Sequence, residues 1–409
     1  MNIVHLSTTD SGGAFRATAR ISESLQMQSV DSTVLVRTKY HNSKTIEVMN
    51  SPIKRVCSKI KNGINLLFSS GDVVTDLLGA DVTGIQSVRD ADIIILHWVN
   101  SFISAKSIEK ISQLGKPIIW VMHDMWVFTG GCHYDGGCGR YVEDCGCCPI
   151  LKSGNIKDRT YRNLWQKEAL YSKQNITFVA LSQWELECAQ KSHALRGCNV
   201  VKIWNPLDVN IFRPLDRLKL RFQKMNTSKK VILFGASRGF EDEVKGFRYL
   251  IEALKRLDKT KYCAVCFGGG EKANQQFIDG FEITYLGQIE DENELAEWYS
   301  IADVFVAPSL QETFCYTVCE ALACGTPVAA FPIGGILDQV EHQHNGYLAE
   351  VRNSGDLARG IEYCVNNRDK LTTNARDGVL KKNTYDLVGK EYLALCKSIL
   401  NMQKEDKNE

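Results

Sequence analysis

Residues 304–331 read VFVAPSLQETFCYTVCEALACGTPVAAF. Val304 to Ala307 is a short apolar run, Pro308 and Ser309 end it, a loop carries Glu312, and a helix through Glu320 follows. Gly325, Thr326 and Pro327 then turn the chain into a second apolar run, Val328 to Phe331. Two uncharged strands joined by a helix make a parallel βαβ unit, with strands covered on both faces.

The same alternation extends in both directions. Downstream of Pro206, strands are expected at Val231–Gly235, Tyr262–Phe267 and Ile283–Leu286, besides the two already named. Upstream they are expected at Asn2–Ser7, Ser32–Val36, Ile93–Trp98, Pro117–Met122, Thr177–Leu181 and Val200–Trp204. The fold class is therefore α/β, with two Rossmann-like domains facing across a cleft. Pro206 drives its neighbour out of helix, so the hinge falls at Asn205–Asp208. The domains are residues 1–205, residues 206–384, and a C-terminal helix with a charged tail, residues 385–409, that packs back on the first domain.

Composition narrows the function. The 409 residues are 44% hydrophobic and 24% charged, with a net charge of +1, an ordinary globular mix. Residues 1–205 carry 23 Lys and Arg against 18 Asp and Glu, leaving 26 against 30 for the rest. The first half is the one suited to an anionic surface, and the excess is too small for a nucleic-acid binder. No apolar run reaches membrane-span length and the N-terminus reads as a strand, which points to a cytoplasmic chain. Its 15 cysteines are then expected as core thiols or metal ligands.

In parallel sheets, ligands bind beyond the carboxyl ends of strands. Gly12 and Gly13 follow the first strand and open a helix, either as a cradle for phosphate or as a plain tight turn. His97 with Trp98, and His123 with Asp124 and Trp126, lie at the ends of two neighbouring strands. The pairing of two histidines there favours a site over isolated satisfied side chains. Glu312 sits in a loop and Glu320 about two turns along the next helix, where carboxylates can accept from sugar hydroxyls while helix amides face a diphosphate. Asp90 and Asp92 match a D-x-D string but precede their strand, on the side away from the cleft, and read as a solvated loop.

Cys132, Cys138, Cys145, Cys147 and Cys148 crowd the glycine-rich stretch 130–149. Cys132, Cys138, Cys145 and Cys148 have the number for a structural zinc site, and His133 can replace one ligand. Reduced thiols, a disulfide and an iron–sulfur cluster are the alternatives. Ile53, Val56, Cys57, Ile60, Ile64 and Leu67 recur at helical spacing with Lys54, Arg55, Lys59 and Lys61 between them, the pattern of a basic helix on an anionic membrane or of an ordinary packed surface helix.

The segment Pro308–Pro327, with Gly334, Gly335, Asn345 and Gly346 beyond it, closely resembles the E-x7-E region of retaining glycosyltransferases of family 4. Gly235 to Arg238, Lys245 with Gly246, Gly268 to Gly270 and Tyr285 to Gly287 follow that family's order. His97–Trp98 and His123–Trp126 resemble the acceptor domain of its bacterial surface-polysaccharide members, which build colanic acid, O-antigen or capsule. The resemblance implies a GT-B fold and a UDP- or GDP-sugar donor held by the second domain. It also implies a glycan or polyprenyl-diphosphate-linked acceptor at the first, on the cytoplasmic membrane face, and no cofactor for transfer. Lys245 and Arg238 would neutralise the diphosphate, although six residues separate them where better-known members have five. Glu312 would contact the donor sugar, Glu320 the ribose and His123 the donor sugar or acceptor. Gly12, Gly13, Gly269, Ser309, Phe314, Cys315, Tyr316 and Thr317 would complete the donor site. His97, Trp98, Asp124 and Trp126 would face the acceptor. A sugar-nucleotide epimerase and a non-catalytic glycan-binding subunit are the rival readings. A dinucleotide dehydrogenase lacks its full glycine motif.

Overall fold

The computed structural model describes residues 1–41, 46–49, 73–75, 78–225, 227–235, 243–269 and 274–406. They form two compact units, Met1–Pro206 together with Tyr385–Glu409, and Leu207–Thr384.

The first unit holds β1 (Asn2–Thr9), β2 (Asp31–Thr38), β3 (Ile46–Val48), β4 (Ile93–Leu96), β5 (Ile118–Val121), β6 (Ile176–Ala180) and β7 (Asn199–Lys202). Their order is β3-β2-β1-β4-β5-β6-β7, and every pairing is parallel. The central strands IIIL, IIWV and ITFVA are buried throughout, because helices on both faces leave no polar side for them to show.

The second unit holds β8 (Lys230–Gly235), β9 (Tyr262–Phe267), β10 (Asn274–Ile278), β11 (Phe281–Tyr285), β12 (Val304–Ala307), β13 (Val328–Ala330) and β14 (Gly346–Leu348). Their order is β10-β11-β9-β8-β12-β13-β14. Only β10 runs antiparallel, paired with β11. Asp279 and Gly280 join these two strands with φ of 50° and 77°, the left-handed pair that a tight two-residue hairpin demands.

In each sheet the strand order reverses at one place, between β1 and β4 and between β8 and β12. At such a switch point the connecting helices leave on opposite faces and open a crevice at the carboxyl ends. Lys245, Ser309, Glu312, Cys315 and Thr317 gather at that of the second unit.

The helix Tyr385–Asp406 completes the first unit. Val388, Tyr392, Cys396 and Ile399 form its buried stripe, at the spacing of one helical face. A Cβ on Gly389 would overlap the carbonyl oxygen of Ser24, so glycine there lets this helix approach the helix Gly12–Met27. Tyr385 donates to the Glu23 carboxylate at 2.9 Å. The second unit begins and ends at one point, where the Leu207 amide donates to the Asn383 carbonyl at 2.6 Å.

Candidate functional site

A cavity opens at the switch point of the second unit. Phe234 and Gly235 end β8 on one side, and Ala307 ends β12 on the other with Pro308 and Ser309 after it, while Lys245, Glu312, Cys315 and Thr317 also line the wall. Glycines fasten the loops together. Gly246 has φ 66°, and a Cβ there would overlap the Pro308 carbonyl oxygen. Beside it, the Leu310 amide donates to the Val244 carbonyl at 2.7 Å. Across the loop, Cβ atoms on Gly334 and Gly335 would overlap the carbonyl oxygens of Glu312 and Thr313, and the Gly335 amide donates to Glu312 O at 3.2 Å. Glu312 is thus fixed through its backbone.

Its carboxylate meets the Lys245 ammonium in an ion pair, and the Ser309 hydroxyl donates to the same oxygen at 3.1 Å. The lysine side chain is 29% exposed and the glutamate 7%, so the cation faces the opening and the anion lies beneath it. The helix Tyr316–Ala323 starts at this wall from Cys315, which has φ 68° and no side-chain cap, and its first turn contains no acid. No acid therefore offsets the partial positive charge of its start. Burial, with Glu312 adding to it, pushes the Cys315 thiol up to about 12, so it stays neutral. Lys245 and a helix start beside a fixed carboxylate suit a ligand that is both anionic and hydroxylated.

The other donor-side residues lie off this wall. Glu320 is fully buried and accepts from the Tyr299 hydroxyl at 3.0 Å. Phe314 and Tyr316 pack edge to face with centroids 5.2 Å apart. Gly268 and Gly269 turn the chain after β9 with φ of 92° and 76°. Arg238 and the basic helical pattern from Ile53 to Leu67 lie outside the described residues.

In the first unit, Asp124 acts as an anchor. One carboxylate oxygen accepts from Trp98 Nε1 at 3.1 Å and from His133 Nδ1 at 2.7 Å, while the other accepts from the Trp126 amide at 2.8 Å. The Trp126 ring lies 3.8 Å from the Lys167 ammonium and donates through Nε1 to Val74 O at 3.0 Å. His97 and His123 are bonded to each other, His97 Nδ1 to His123 Nε2 at 3.0 Å. Sequence reasoning missed His5, which joins His97 from the middle of β1 at 2.8 Å. A lone polar residue inside a buried strand was the available signal. Gly12 and Gly13 have open space where a Cβ would stand, and Ser11 ahead of them provides no side-chain cap. Asp92 accepts from the Asn2 amide at 2.7 Å, which ties the ends of neighbouring strands.

The described residues lend the expected four-cysteine centre no support. Among the described residues, no group of three or more His, Cys, Asp or Glu stands in a geometry that holds a metal, and Cys132, Cys138, Cys145 and Cys148 are free thiols. Side chain to backbone bonds hold the loop instead. Asp135 accepts from the amides of Gly137 and Gly139, each at 3.0 Å. Arg140 donates to Gly146 O at 2.9 Å and Cys147 O at 2.8 Å. Cys132 and Cys148 pack with Val73 in a small apolar cluster.

Asp158 fastens the far end of this loop. It accepts from the Cys148 amide at 2.9 Å and from the amide and hydroxyl of Thr160 at 2.8 and 2.7 Å, capping the helix Arg159–Tyr171. Burial pushes its carboxyl up, but the bonds from Cys148, Thr160 and Tyr161 outweigh burial and hold it below its ordinary value. Its stabilisation is therefore complete above the ordinary carboxylate range and is lost as pH falls through the lowered folded value. Asp158→Ala is expected to cost about 1–2 kcal/mol and to speed alkylation of Cys148, followed by peptide mass spectrometry. An unchanged rate would remove Asp158 from this role.

Residues 229–367 match the family described as Glycosyl transferases group 1. The chain is similar to an uncharacterized glycosyltransferase of Methanocaldococcus jannaschii, 28% identical over 197 residues, which are 45% of this chain and 50% of that protein. It is similar also to the N,N'-diacetylbacillosaminyl-diphospho-undecaprenol alpha-1,3-N-acetylgalactosaminyltransferase of Campylobacter jejuni, 27% identical over 197 residues, 46% of this chain and 50% of that protein. The chain spans about half the length of these curated relatives. In structure it is similar to HepE of Anabaena in complex with UDP and glucose, with a TM-score of 0.69 and 18% identity, covering 97% of this chain and 100% of that one. The two-domain α/β architecture is the GT-B glycosyltransferase fold.

Proposed function

We propose, from a GT-B fold whose second unit matches the group 1 glycosyltransferases, that this chain moves a sugar from a nucleoside diphosphate sugar to a glycan acceptor with retention at the anomeric carbon. The observation that carries the reading is the Lys245–Glu312 pair in the switch-point cavity.

A departing nucleoside diphosphate gains charge as the glycosidic bond breaks, and fixed cations and amides facing it lower the barrier. Lys245 and the start of the helix Tyr316–Ala323 supply both, with Arg238 as a second cation and no divalent metal required for transfer. Glu312 accepts from hydroxyls of the donor sugar, Ser309 holds that carboxylate in place, and Cys315 and Thr317 line the wall beside it. A ribose role for Glu320 requires its carboxylate to leave Tyr299. The leaving phosphate takes the acceptor proton on the face it vacates, and His123 positions the sugar or acceptor, so no covalent nucleophile is used.

A lipid-linked oligosaccharide of O-antigen, capsule or exopolysaccharide synthesis is the acceptor class we favour, in keeping with the undecaprenol-linked substrate in the name of the Campylobacter relative. Among the described residues no helix is long and apolar enough to cross a membrane. Such an acceptor would bring the more cationic first unit to an anionic membrane surface from the cytoplasmic side.

Thermal unfolding with UDP, GDP, ADP or CMP, each with and without EDTA, tests the donor site. A ligand at a hundred times its dissociation constant stabilises by about 2.7 kcal/mol. One diphosphate is expected to raise the melting temperature regardless of EDTA, naming the donor base. No shift with any of them would favour a non-catalytic glycan-binding role.

A further inference from the structure

The first unit contains a row of five hydrogen-bonding side chains of which the proposed mechanism uses only the last. The hydroxyls of Ser22 and Ser32 stand 2.7 Å apart, and Ser32 Oγ is 3.0 Å from His5 Nε2. His5 Nδ1 then meets His97 Nε2 at 2.8 Å, and His97 Nδ1 meets His123 Nε2 at 3.0 Å. The first four residues are buried at 5% exposure or less, and His123 alone is partly exposed. Helix Gly12–Met27, strands β2 and β1 and the ends of β4 and β5 supply one member each.

The rings bond in line. Their centroids are 5.1 and 5.2 Å apart with planes 23° and 25° from parallel, and each centroid separation exceeds its N···N separation by about two ring radii, which face-to-face stacking does not give. Burial lowers the pKa of His5 to about 3 and of His123 to about 4. His97 is held well below its ordinary value by burial first and then by the other two rings, so all three are neutral near neutral pH.

A neutral imidazole has one N–H and one acceptor nitrogen. If His123 carries its proton on Nδ1, its Nε2 accepts and His97 must donate from Nδ1. His97 Nε2 then accepts, so His5 must also donate from Nδ1. The opposite choice places every proton on Nε2. A mixed set would bring two N–H groups, or two lone pairs, together at a buried contact, each leaving polar groups unsatisfied.

We propose that His5 and His97 are positioning residues that couple the tautomer of His123 to their own, so that all three rings carry their protons on the same nitrogen. The importance of this coupling for transfer rests on the acceptor or sugar-positioning role proposed for His123. With Nε2 committed to His97, the shared tautomer fixes whether Nδ1 carries a proton, and so how the ring would orient a hydroxyl brought to it, which is a means of selecting one hydroxyl of a sugar over its neighbours.

The test uses the full chain with 15N-labelled histidine and no ligand. Ring nitrogen shifts are expected to give one common tautomer for His5, His97 and His123, with scalar couplings across both N–H···N bonds. In His5→Phe, which leaves the His97–His123 contact in place, His123 is expected to pass from one tautomer to a mixture. His5→Asn, whose amide stands near the former Nδ1, is expected to restore a single form. Unlike tautomers in the unsubstituted protein overturn the proposal even if His5→Phe does not fold. An unmoved His123 signal in a folded His5→Phe protein overturns it as well. Turnover provides a separate arm, with kcat expected to fall roughly tenfold in His5→Phe while the donor KM holds. A shifted tautomer with unchanged kcat overturns the positioning role. Absence of turnover in the unsubstituted protein overturns the transferase reading and leaves the tautomer result standing.

Discussion

Lys245→Ala is expected to lower sugar transfer about 10²–10³-fold, the loss typical of removing one fixed group that stabilises developing charge. The same variant is expected to lose the thermal shift caused by the nucleoside diphosphate, because the lysine acts on the ground-state diphosphate as well. It also removes the partner of a carboxylate that is only 7% exposed. A buried anion without its cation is costly, so activity should not recover by raising donor concentration. Glu312→Ala separates the two effects. Turnover should fall comparably, while the diphosphate shift survives because Lys245 remains. Release of free nucleotide and incorporation of labelled sugar, measured together, check both variants. Near-normal turnover in either would remove that residue from the mechanism, and nucleotide release without incorporation would favour the epimerase reading.

Gly246→Ala is expected to damage the same site without altering any charge. The residue has φ 66°, a left-handed conformation that costs an L-residue about 1–2 kcal/mol. Its new methyl would also overlap the Pro308 carbonyl oxygen. A backbone oxygen at the end of β12 moves only with its strand, so the total cost should be roughly 2–4 kcal/mol. The loop carrying Lys245 would be displaced from Glu312, so turnover should fall together with the urea midpoint. Gly13→Ala is the contrast, since a Cβ there meets nothing within 4 Å, and its effect should stay within about 0.5 kcal/mol. Equal midpoints for the two variants would refute the account of Gly246.

The buried parallel strands were legible because their composition is nearly free of polar residues. IIIL, IIWV and YCAVCF can hardly be anything but covered strands. β10 was not legible, since NQQFI is an edge strand whose polar side chains read as loop. β3 and β14, three residues each, are too short to show a period. At the candidate site, Lys245, Ser309 and Glu312 were readable by type and order, and they converge. What the sequence concealed was the packing that fixes them. Gly334 and Gly335 could be named, but nothing in a linear string says that their missing side chains make room for the carbonyls of Glu312 and Thr313. Tyr299, the partner of Glu320, lies 21 positions away on another helix. In the cysteine loop the thiol spacing was visible, whereas the bonds from Asp135, Arg140 and Asp158 that hold the loop depend on local backbone geometry.

The return of the helix Tyr385–Asp406 to the first unit sets an order of events on the ribosome. Chains fold largely as they emerge, N-terminal portion first. Here the helix Gly12–Met27 emerges before the second unit, yet the surface against which Gly389 packs stays uncovered until the helix Tyr385–Asp406 has followed that unit. The second unit has its ends together at Leu207 and Asn383 and lacks nothing of its own by then. The unit that starts first therefore finishes last.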